Sequence, residues 1–286
     1  MLDADIKWLH VEASSKCNAW CPACSRNQNG FGIIDGLIEE DLSTERFLEV
    51  IKQLPNLYGV QFCGNYGEPV IAHNIMELIE VAKQYCKKIQ IHTNGSLRSR
   101  SWWGDLARDL KDVEHDVWFG IDGLKGVHEI YRQGTDYDKI IENACEFIKQ
   151  GGSATWQYIP YQHNEHQIRD CLKTSQRLGF KKFKLLKEFR NITNSKHYRT
   201  GAESELKPPT SIEHIIKFSK TNTSVIVNDC MHLSQPGVYL GANGKLNYCC
   251  YHHKVNLTAN QFDNLDQLLY NNINITHKIC VASCGK

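Results

Sequence analysis

The chain has 286 residues, a formal net charge of +1 and 41% hydrophobic residues. This is enough apolar material for a packed α/β domain with a small appendage, and it excludes a chain that is disordered throughout. The small net charge gives no overall attraction to nucleic acid or to an acidic membrane. No run of about 18 apolar residues is present for a membrane span. The acidic first ten residues do not resemble a signal peptide, so we expect a cytoplasmic protein.

The first two-thirds of the chain alternate strand-like and helix-like segments. The predicted strands are residues 7–13, 58–63, 88–93, 116–121, 154–160 and 182–187. Apolar residues between them recur at helical spacing, as Phe47, Leu48, Ile51 and Leu54 do behind a Ser43 cap. Six such β-then-α units predict a parallel sheet with right-handed crossovers. Periodicity alone leaves open whether this sheet is open or curled into a partial barrel.

The sequence pattern changes after residue 190. A polar, irregular stretch and a Pro-Pro pair interrupt regular structure there, and short strands and turns follow. We therefore predict three regions. These are a barrel-like domain over residues 1–190, a linker with a helix over residues 191–223, and a small cysteine-rich domain over residues 224–286.

The chain contains twelve cysteines, an unusual number for a protein without an export signal. A chain of this length does not need disulfide staples, so ligation of a metal or cluster explains them better. Four cysteines stand alone on apolar segments and are interpreted as ordinary buried thiols. They are Cys63, Cys86, Cys145 and Cys171.

The sequence Cys17-Asn-Ala-Trp-Cys21-Pro-Ala-Cys24 follows the first predicted strand directly. Three thiolates this close in sequence can hold three corners of an iron–sulfur cubane. With no fourth cysteine nearby in the sequence, one iron is left open for a small-molecule ligand, as at catalytic metal sites. A zinc site or a chance clustering is the alternative interpretation.

This cysteine spacing resembles the defining motif of the radical S-adenosylmethionine (SAM) enzymes. The resemblance implies a [4Fe–4S] cluster on Cys17, Cys21 and Cys24, whose open iron SAM chelates through its amino and carboxylate groups. It also implies that an electron from the cluster breaks the sulfonium bond of SAM. The resulting 5′-deoxyadenosyl radical then abstracts hydrogen from a substrate. Ala23 departs from the family pattern, in which many members carry an aromatic residue at this position.

A glycine-containing segment, Gly64-Asn-Tyr66-Gly67-Glu68, follows the second predicted strand. It resembles the Gly-Gly-Glu segment that binds the SAM amino group in the same family. By that match Glu68 accepts the ammonium group, and Gly64 and Gly67 shape a turn that lets the backbone approach a ligand. Tyr66 belongs to the same predicted cofactor-binding segment.

Later strand ends carry further candidate residues. Asn94 and Asp122 follow the third and fourth predicted strands, at the edge where parallel α/β folds bind ligands. By resemblance, Asp122 is expected to hold the SAM ribose hydroxyls, and Asn94 to bond the SAM carboxylate or the substrate. Turn and capping roles are the alternative. Lys187 and Arg190 end the sixth strand, where they are expected to orient an anionic substrate or take a proton.

The last region of the chain carries five cysteines: Cys230, Cys249, Cys250, Cys280 and Cys284. A hairpin around residues 241–244 is expected to help bring four of them together. The arrangement resembles the twitch domain, a shortened SPASM extension of radical SAM enzymes, which implies one auxiliary [4Fe–4S] cluster. Four thiolates complete the site, so only one of Cys249 and Cys250 is needed. Adjacent residues on a strand point to opposite faces, and we favour Cys249. Structural zinc is the alternative.

Together, the residues and the resemblance predict an α/β partial (β/α)6 barrel with a cluster-bearing cap. The predicted activity is SAM cleavage followed by net oxidation of a small or carrier-bound, alcohol- or sugar-like substrate. Oxidative peptide modification is the first alternative. A flavodoxin- or ferredoxin-like electron donor is the implied partner, and neither a membrane nor nucleic acid is expected. The competing class is a non-catalytic iron–sulfur or zinc protein, although such a protein does not need the carboxylate of Glu68.

Overall fold

The structure is a computed structural model of the chain. It describes residues 6–28, 31–186, 195–210, 225–227, 237–247, 262–264 and 267. The chain divides into two compact units. The first comprises residues 1–17, 35–91 and 229–286, and the second comprises residues 18–34 and 92–228.

Strands and helices alternate along most of the described chain. The strands are β1 (Trp8–Val11), β2 (Gly59–Phe62), β3 (Lys88–Thr93), β4 (Glu114–Gly120), β5 (Ala154–Tyr158), β6 (Lys182–Leu185), β7 (Ser195–Lys196), β8 (Glu203–Ser204), β9 (Val225–Val227), β10 (Gly237–Leu240) and β11 (Leu246–Asn247). The α-helices are α1 (Thr44–Ile51), α2 (Ile75–Tyr85), α3 (Arg100–Asp109), α4 (His128–Tyr131), α5 (Tyr137–Lys149) and α6 (Ile168–Arg177).

The first unit is built on a sheet in which β1 lies between β10 and β2. These strands run parallel, as do β2 and β3, whereas β11 joins β10 in the antiparallel sense. Helices α1 and α2 pack against each other and bury the apolar residues that share one helical face. Ser43 caps α1 by accepting a hydrogen bond from the Arg46 backbone, as its position before the helix predicts. The parallel pairing of β10 with β1 was not predicted from the sequence.

In the second unit, β4, β5, β6 and β9 lie side by side in that order and run parallel. Phe119, Trp156 and Phe183 occupy matched positions on β4, β5 and β6 and therefore share one face of this sheet. Phe119 packs against Trp103 of α3 and Phe147 of α5, with ring centroids 5.1 and 6.2 Å apart. Aromatic burial of this size is a principal stabilising contribution to such a core.

The predicted α/β architecture is confirmed, since a strand forms in each of the six segments where one was expected. The hairpin expected around residues 241–244 also forms, with Tyr239 opposite Asn247. The helix expected after Pro209 lies outside the described residues. Within the described ranges, every helix falls short of the length and apolar character that a membrane crossing requires.

Candidate cofactor site

The cysteine loop, residues 17–28, follows the end of β1. Within it, the Cys24 amide donates a hydrogen bond of 2.9 Å to the Cys21 carbonyl. The Asn27 side-chain amide donates to the same carbonyl at 3.0 Å. These bonds hold Cys21 and Cys24 in one tight turn, as the two-residue spacing between them requires.

The thiols of this loop suit an iron–sulfur cluster. None of the described cysteines forms a disulfide, so no S–S bond competes with a cluster for the sulfurs of Cys17, Cys21 and Cys24. No three His, Cys, Asp or Glu side chains of the described residues come together as ligands of one metal ion. A cubane does not need such convergence, because each cysteine binds a different iron.

Polar contacts in the second unit fix the conformation of the cysteine loop. The Asn94 side-chain amide donates to the Asn18 side chain at 2.8 Å, and the Trp20 amide donates to the Gln133 carbonyl at 2.8 Å. Gly134 has a φ of +81°, and a Cβ there would lie 2.9 Å from the Asn18 carbonyl oxygen. Asn94 thus lies beside the cysteine loop, although its contact with SAM or substrate stays a prediction.

Asp122 is completely buried and pairs with Arg132. One carboxylate oxygen accepts from Arg132 Nε at 2.5 Å, and the other accepts from the Ile159 amide at 2.6 Å. Although burial disfavours the charged guanidinium, the Asp122 carboxylate raises the pKa of Arg132 well above its usual value. Both carboxylate oxygens are therefore engaged within the chain, and the role of Asp122 toward the SAM ribose stays a prediction.

The charge of Arg132 also acts on Cys21 of the cysteine loop. Burial raises the pKa of that thiol to about 11, while the guanidinium acts in the opposite direction. Metal ligation requires the thiolate. A fixed positive charge beside Cys21 therefore favours the form that binds iron.

The glycine segment, residues 64–68, packs directly on the backbone that leads into Cys17. A Cβ on Gly67 would lie 1.8 Å from the Ser14 carbonyl oxygen, and one on Gly64 would lie 2.1 Å from the Gly67 oxygen. The Glu68 amide donates to the Lys16 carbonyl at 2.8 Å. Only glycine fits at Gly64 and Gly67, since any side chain would overlap backbone atoms.

Glu68 lies at the end of this segment with 3% of its surface exposed. Its carboxylate accepts a long hydrogen bond of 3.4 Å from the Val70 amide and caps the short 3₁₀ turn Pro69–Ile71. An ionised carboxylate has about four lone-pair sites. The capping bond to Val70 is therefore compatible with a further bond from the carboxylate to a cation.

Glu12 is a buried carboxylate beside the glycine segment that the sequence did not point to. Its buried carboxylate accepts hydrogen bonds from the amides of Tyr66 and Gly67, at 2.6 and 3.1 Å, and from the Tyr239 hydroxyl. Burial raises the pKa of Glu12, although these hydrogen bonds act in the opposite direction. The only indication of Glu12 in the sequence is that a single carboxylate stands at the end of an apolar strand. Tyr66 is itself buried, and its amide reaches Glu12.

Several predicted site residues lie outside the described part of the chain. They are Lys187, Arg190, Cys230, Cys249, Cys250, Cys280 and Cys284. Among the others, the first unit brings together Gly64, Tyr66, Gly67 and Glu68. The second unit holds Cys21 and Cys24 together with Asn94 and Asp122.

No family model matches the chain, but solved structures share its fold. Streptococcus suis SuiB bound to the precursor peptide SuiA has a TM-score of 0.70 and 17% identity, covering 99% of this chain and 70% of that one. Histidine-tagged anSMEcpe with bound AdoMet, which is SAM, has a TM-score of 0.67 and 16% identity, covering 93% and 78% of the two chains. SuiB bound to SAM has a TM-score of 0.66 and 13% identity, covering 98% and 66%.

Part of the sequence also matches a curated protein. It is the tungsten-containing aldehyde ferredoxin oxidoreductase cofactor-modifying protein of Pyrococcus furiosus, which is 26% identical over 129 residues. The match covers 45% of this chain and 34% of that protein. The chain thus matches about a third of that relative's length.

SuiB and anSMEcpe are radical SAM enzymes, and their structures were solved with SAM bound. Their likeness to this protein extends over nearly the whole chain, although sequence identity is low. The chain therefore has the partial-barrel α/β fold of the radical SAM enzymes, and the resemblance predicted from its cysteine and glycine segments is confirmed at the level of the fold.

Proposed function

We propose that this protein is a radical SAM enzyme in which Cys17, Cys21 and Cys24 hold a [4Fe–4S] cluster with one open iron. The single observation that carries the proposal is the packing of the glycine segment on residues 14–16, which immediately precede Cys17. A protein that only carries a cluster needs no acceptor for an ammonium group, which is the role we propose for the buried carboxylate of Glu68. When bound and reduced, the cluster supplies the electron that cleaves SAM to a 5′-deoxyadenosyl radical, which abstracts hydrogen from the substrate.

The chain's own residues bind and orient the reactants. The Glu68 carboxylate accepts a hydrogen bond from the SAM ammonium group. Because both groups are charged, this bond is stronger than one between neutral groups. Glu12 fixes the backbone that carries Glu68 through the Tyr66 and Gly67 amides. Asn94 supports the cysteine loop through Asn18.

The net reaction we propose is oxidation of a small or carrier-bound, alcohol- or sugar-like substrate. Cys230, Cys249, Cys280 and Cys284 would hold an auxiliary [4Fe–4S] cluster, which would take up the electron that the substrate radical loses on oxidation. A flavodoxin- or ferredoxin-like protein would supply the reducing electron. The match to the Pyrococcus furiosus cofactor-modifying protein supports a small-molecule substrate.

SAM cleavage is the direct test of the proposed function. Anaerobically reconstituted protein, reduced in the presence of SAM, is expected to release 5′-deoxyadenosine. Cys21→Ala is expected to abolish the release, whereas Cys145→Ala, a cysteine on α5 outside the motif, should leave it within about twofold. Persistent absence of 5′-deoxyadenosine with several reductants would favour a passive iron–sulfur protein.

Peptide modification is the second candidate function. SuiB was solved with its precursor peptide, and anSMEcpe with AdoMet and the Cp18Cys peptide. One experiment distinguishes a small-molecule substrate from a peptide substrate. A low-molecular-mass cell extract is added to the enzyme before and after peptidase digestion, and the stimulation of 5′-deoxyadenosine release is measured each time. We expect the stimulation to persist after digestion. Loss of the stimulation would show that the substrate is a peptide.

A further inference from the structure

The second unit carries a cluster of polar and aromatic residues on the sheet face opposite Phe119, Trp156 and Phe183. Side chains alternate between the two faces of a strand, so Trp118 and Lys184 belong to that opposite face. The Lys184 ammonium lies 3.7 Å from the Trp118 ring centroid. The His92 ring stacks on Trp118 with centroids 4.0 Å apart and planes inclined by 17°.

The indole nitrogen of Trp118 is the unusual feature of this cluster. Trp118 has only 5% of its surface exposed, and no acceptor among the described residues lies within hydrogen-bond distance of Nε1. An indole N–H can only donate, and a buried donor without an acceptor is uncommon because its desolvation is not compensated. Lys184 and His92 use the π faces of the ring, so the edge that carries Nε1 remains to bind an acceptor.

The same face of the sheet carries a buried carboxylate two residues earlier on the strand of Trp118. Asp116, two residues before Trp118, accepts a hydrogen bond of 2.8 Å from the Thr155 hydroxyl. The other Asp116 oxygen lies 3.6 Å from the ammonium of Lys182, two residues before Lys184. Two residues closer to the carboxyl end of the strand, the Trp118 ring contacts the ammonium of Lys184 and the imidazole of His92. Ligands of parallel α/β sheets bind at the carboxyl ends of the strands.

We propose that Trp118 Nε1 and Lys184 Nζ form a binding site for an anionic group, a carboxylate or a phosphate, of a ligand. Oxygen atoms of either group accept hydrogen bonds from both donors, and the ammonium supplies the opposite charge. Gln157, which lies directly opposite Lys184 in the strand register, provides a further amide at the same level. The identification of this ligand as the enzyme's substrate rests on the proposed function.

Equilibrium dialysis of the anaerobic, cluster-loaded protein tests the site with two probes, radiolabelled inorganic phosphate and radiolabelled acetate. We expect one of the two to bind with about one site per chain. Lys184→Gln should raise its Kd at least about tenfold, and Trp118→Phe, which keeps the ring and removes the N–H, about three- to tenfold. Lys184→Arg, which retains the charge, should restore binding to within about threefold of the native protein.

Lys181→Gln is the matched control, because it removes the same charge from an exposed position three residues earlier. Its Kd should stay within about twofold of the native value. The inference is overturned if neither anion binds, or if the Kd in Lys184→Gln and Trp118→Phe equals that in Lys181→Gln.

Measuring 5′-deoxyadenosine release in the same preparations separates the anion site from the proposed function. Anion binding without SAM cleavage would remove only the proposed function, and SAM cleavage without anion binding would remove only this site.

Discussion

Glu68 is the side chain on which the predicted recognition of the SAM ammonium group depends. Its carboxylate is nearly buried, and burial strengthens a charge-assisted hydrogen bond with a cation. We expect Glu68→Gln to weaken SAM binding by about ten- to a hundredfold, since the charge is lost while the shape is kept. Equilibrium binding of SAM to the cluster-loaded protein measures the effect.

The control for this substitution is Glu80→Gln, which changes an exposed glutamate of α2 in the same unit. SAM affinity and iron content should be unchanged in the control, and iron content should also be unchanged in Glu68→Gln. Equal SAM affinity in the two variants would remove Glu68 from the site.

His128 is a buried histidine whose ring is held neutral by its surroundings. Its Nδ1 accepts from the Asp122 amide at 3.1 Å, so Nε2 carries the proton and donates to Thr135 Oγ1 at 3.0 Å. Burial, assisted by the charge of Arg132, lowers the pKa of His128 to about 3. A proton on Nδ1 would point at the N–H of the Asp122 amide, so the two donors would repel each other.

The lowered pKa of His128 predicts loss of stability in mild acid. The unfolded chain, with a histidine pKa near 6.5, binds more protons than the folded chain between pH 6.5 and about 3. Stability therefore falls as pH decreases through that range, by up to about 2 kcal/mol between pH 7 and pH 5 from this residue.

Comparing His128→Asn with the native protein isolates this contribution. The asparagine oxygen can still accept from the Asp122 amide, but it does not titrate. Denaturant unfolding at pH 7 and pH 5 should show a smaller pH-dependent loss of unfolding free energy in His128→Asn. Parallel pH dependences of the two proteins would show that His128 does not contribute.

At the scale of elements, the glycine segment depends on close backbone contact rather than on side chains. Alanine at position 67 would place a methyl group 1.8 Å from the Ser14 carbonyl oxygen, so the segment would have to move away from residues 14–16. Such overpacking costs about 1–3 kcal/mol or more. We expect Gly67→Ala to lower the free energy of unfolding by at least that amount and to abolish SAM binding, both measured on the same preparation.

Gly104→Ala is the corresponding control on helix α3. Its methyl group would meet neighbouring side chains at 3.4–3.5 Å, which is ordinary contact. Alanine in a helix is more favourable than glycine by up to about 1 kcal/mol, so the control should be neutral or slightly stabilising. A Gly67→Ala protein as stable as this control would contradict the packing argument.

At the scale of the whole molecule, the proposal of two clusters predicts the iron content. Reconstituted protein should contain about eight irons per chain for two cubanes, and about four if the C-terminal cysteines bind zinc. Cys280→Ala should lower the iron content by about four, retain 5′-deoxyadenosine release and prevent substrate oxidation. An unchanged iron content would remove Cys280 from the auxiliary cluster.

The sequence predicted the features that depend on residues close together in the chain. The cysteine spacing, the glycine segment and the period of the strands and helices are local patterns, because ligand spacing and backbone geometry constrain nearby residues. These patterns predicted the α/β fold and the resemblance to the radical SAM enzymes, both of which the structure and its relatives confirm at the level of the fold.

Only the tertiary structure revealed the contacts between residues that are distant in the sequence. Glu12 meets Tyr239 across 227 positions of the chain, β10 pairs with β1, and Lys184 lies on Trp118. No local pattern specifies such pairs, since they arise when the folded sheet brings separate strands side by side. The sequence by itself thus determined which chemistry-bearing segments this protein contains, and tertiary packing decided which buried groups hold them in place.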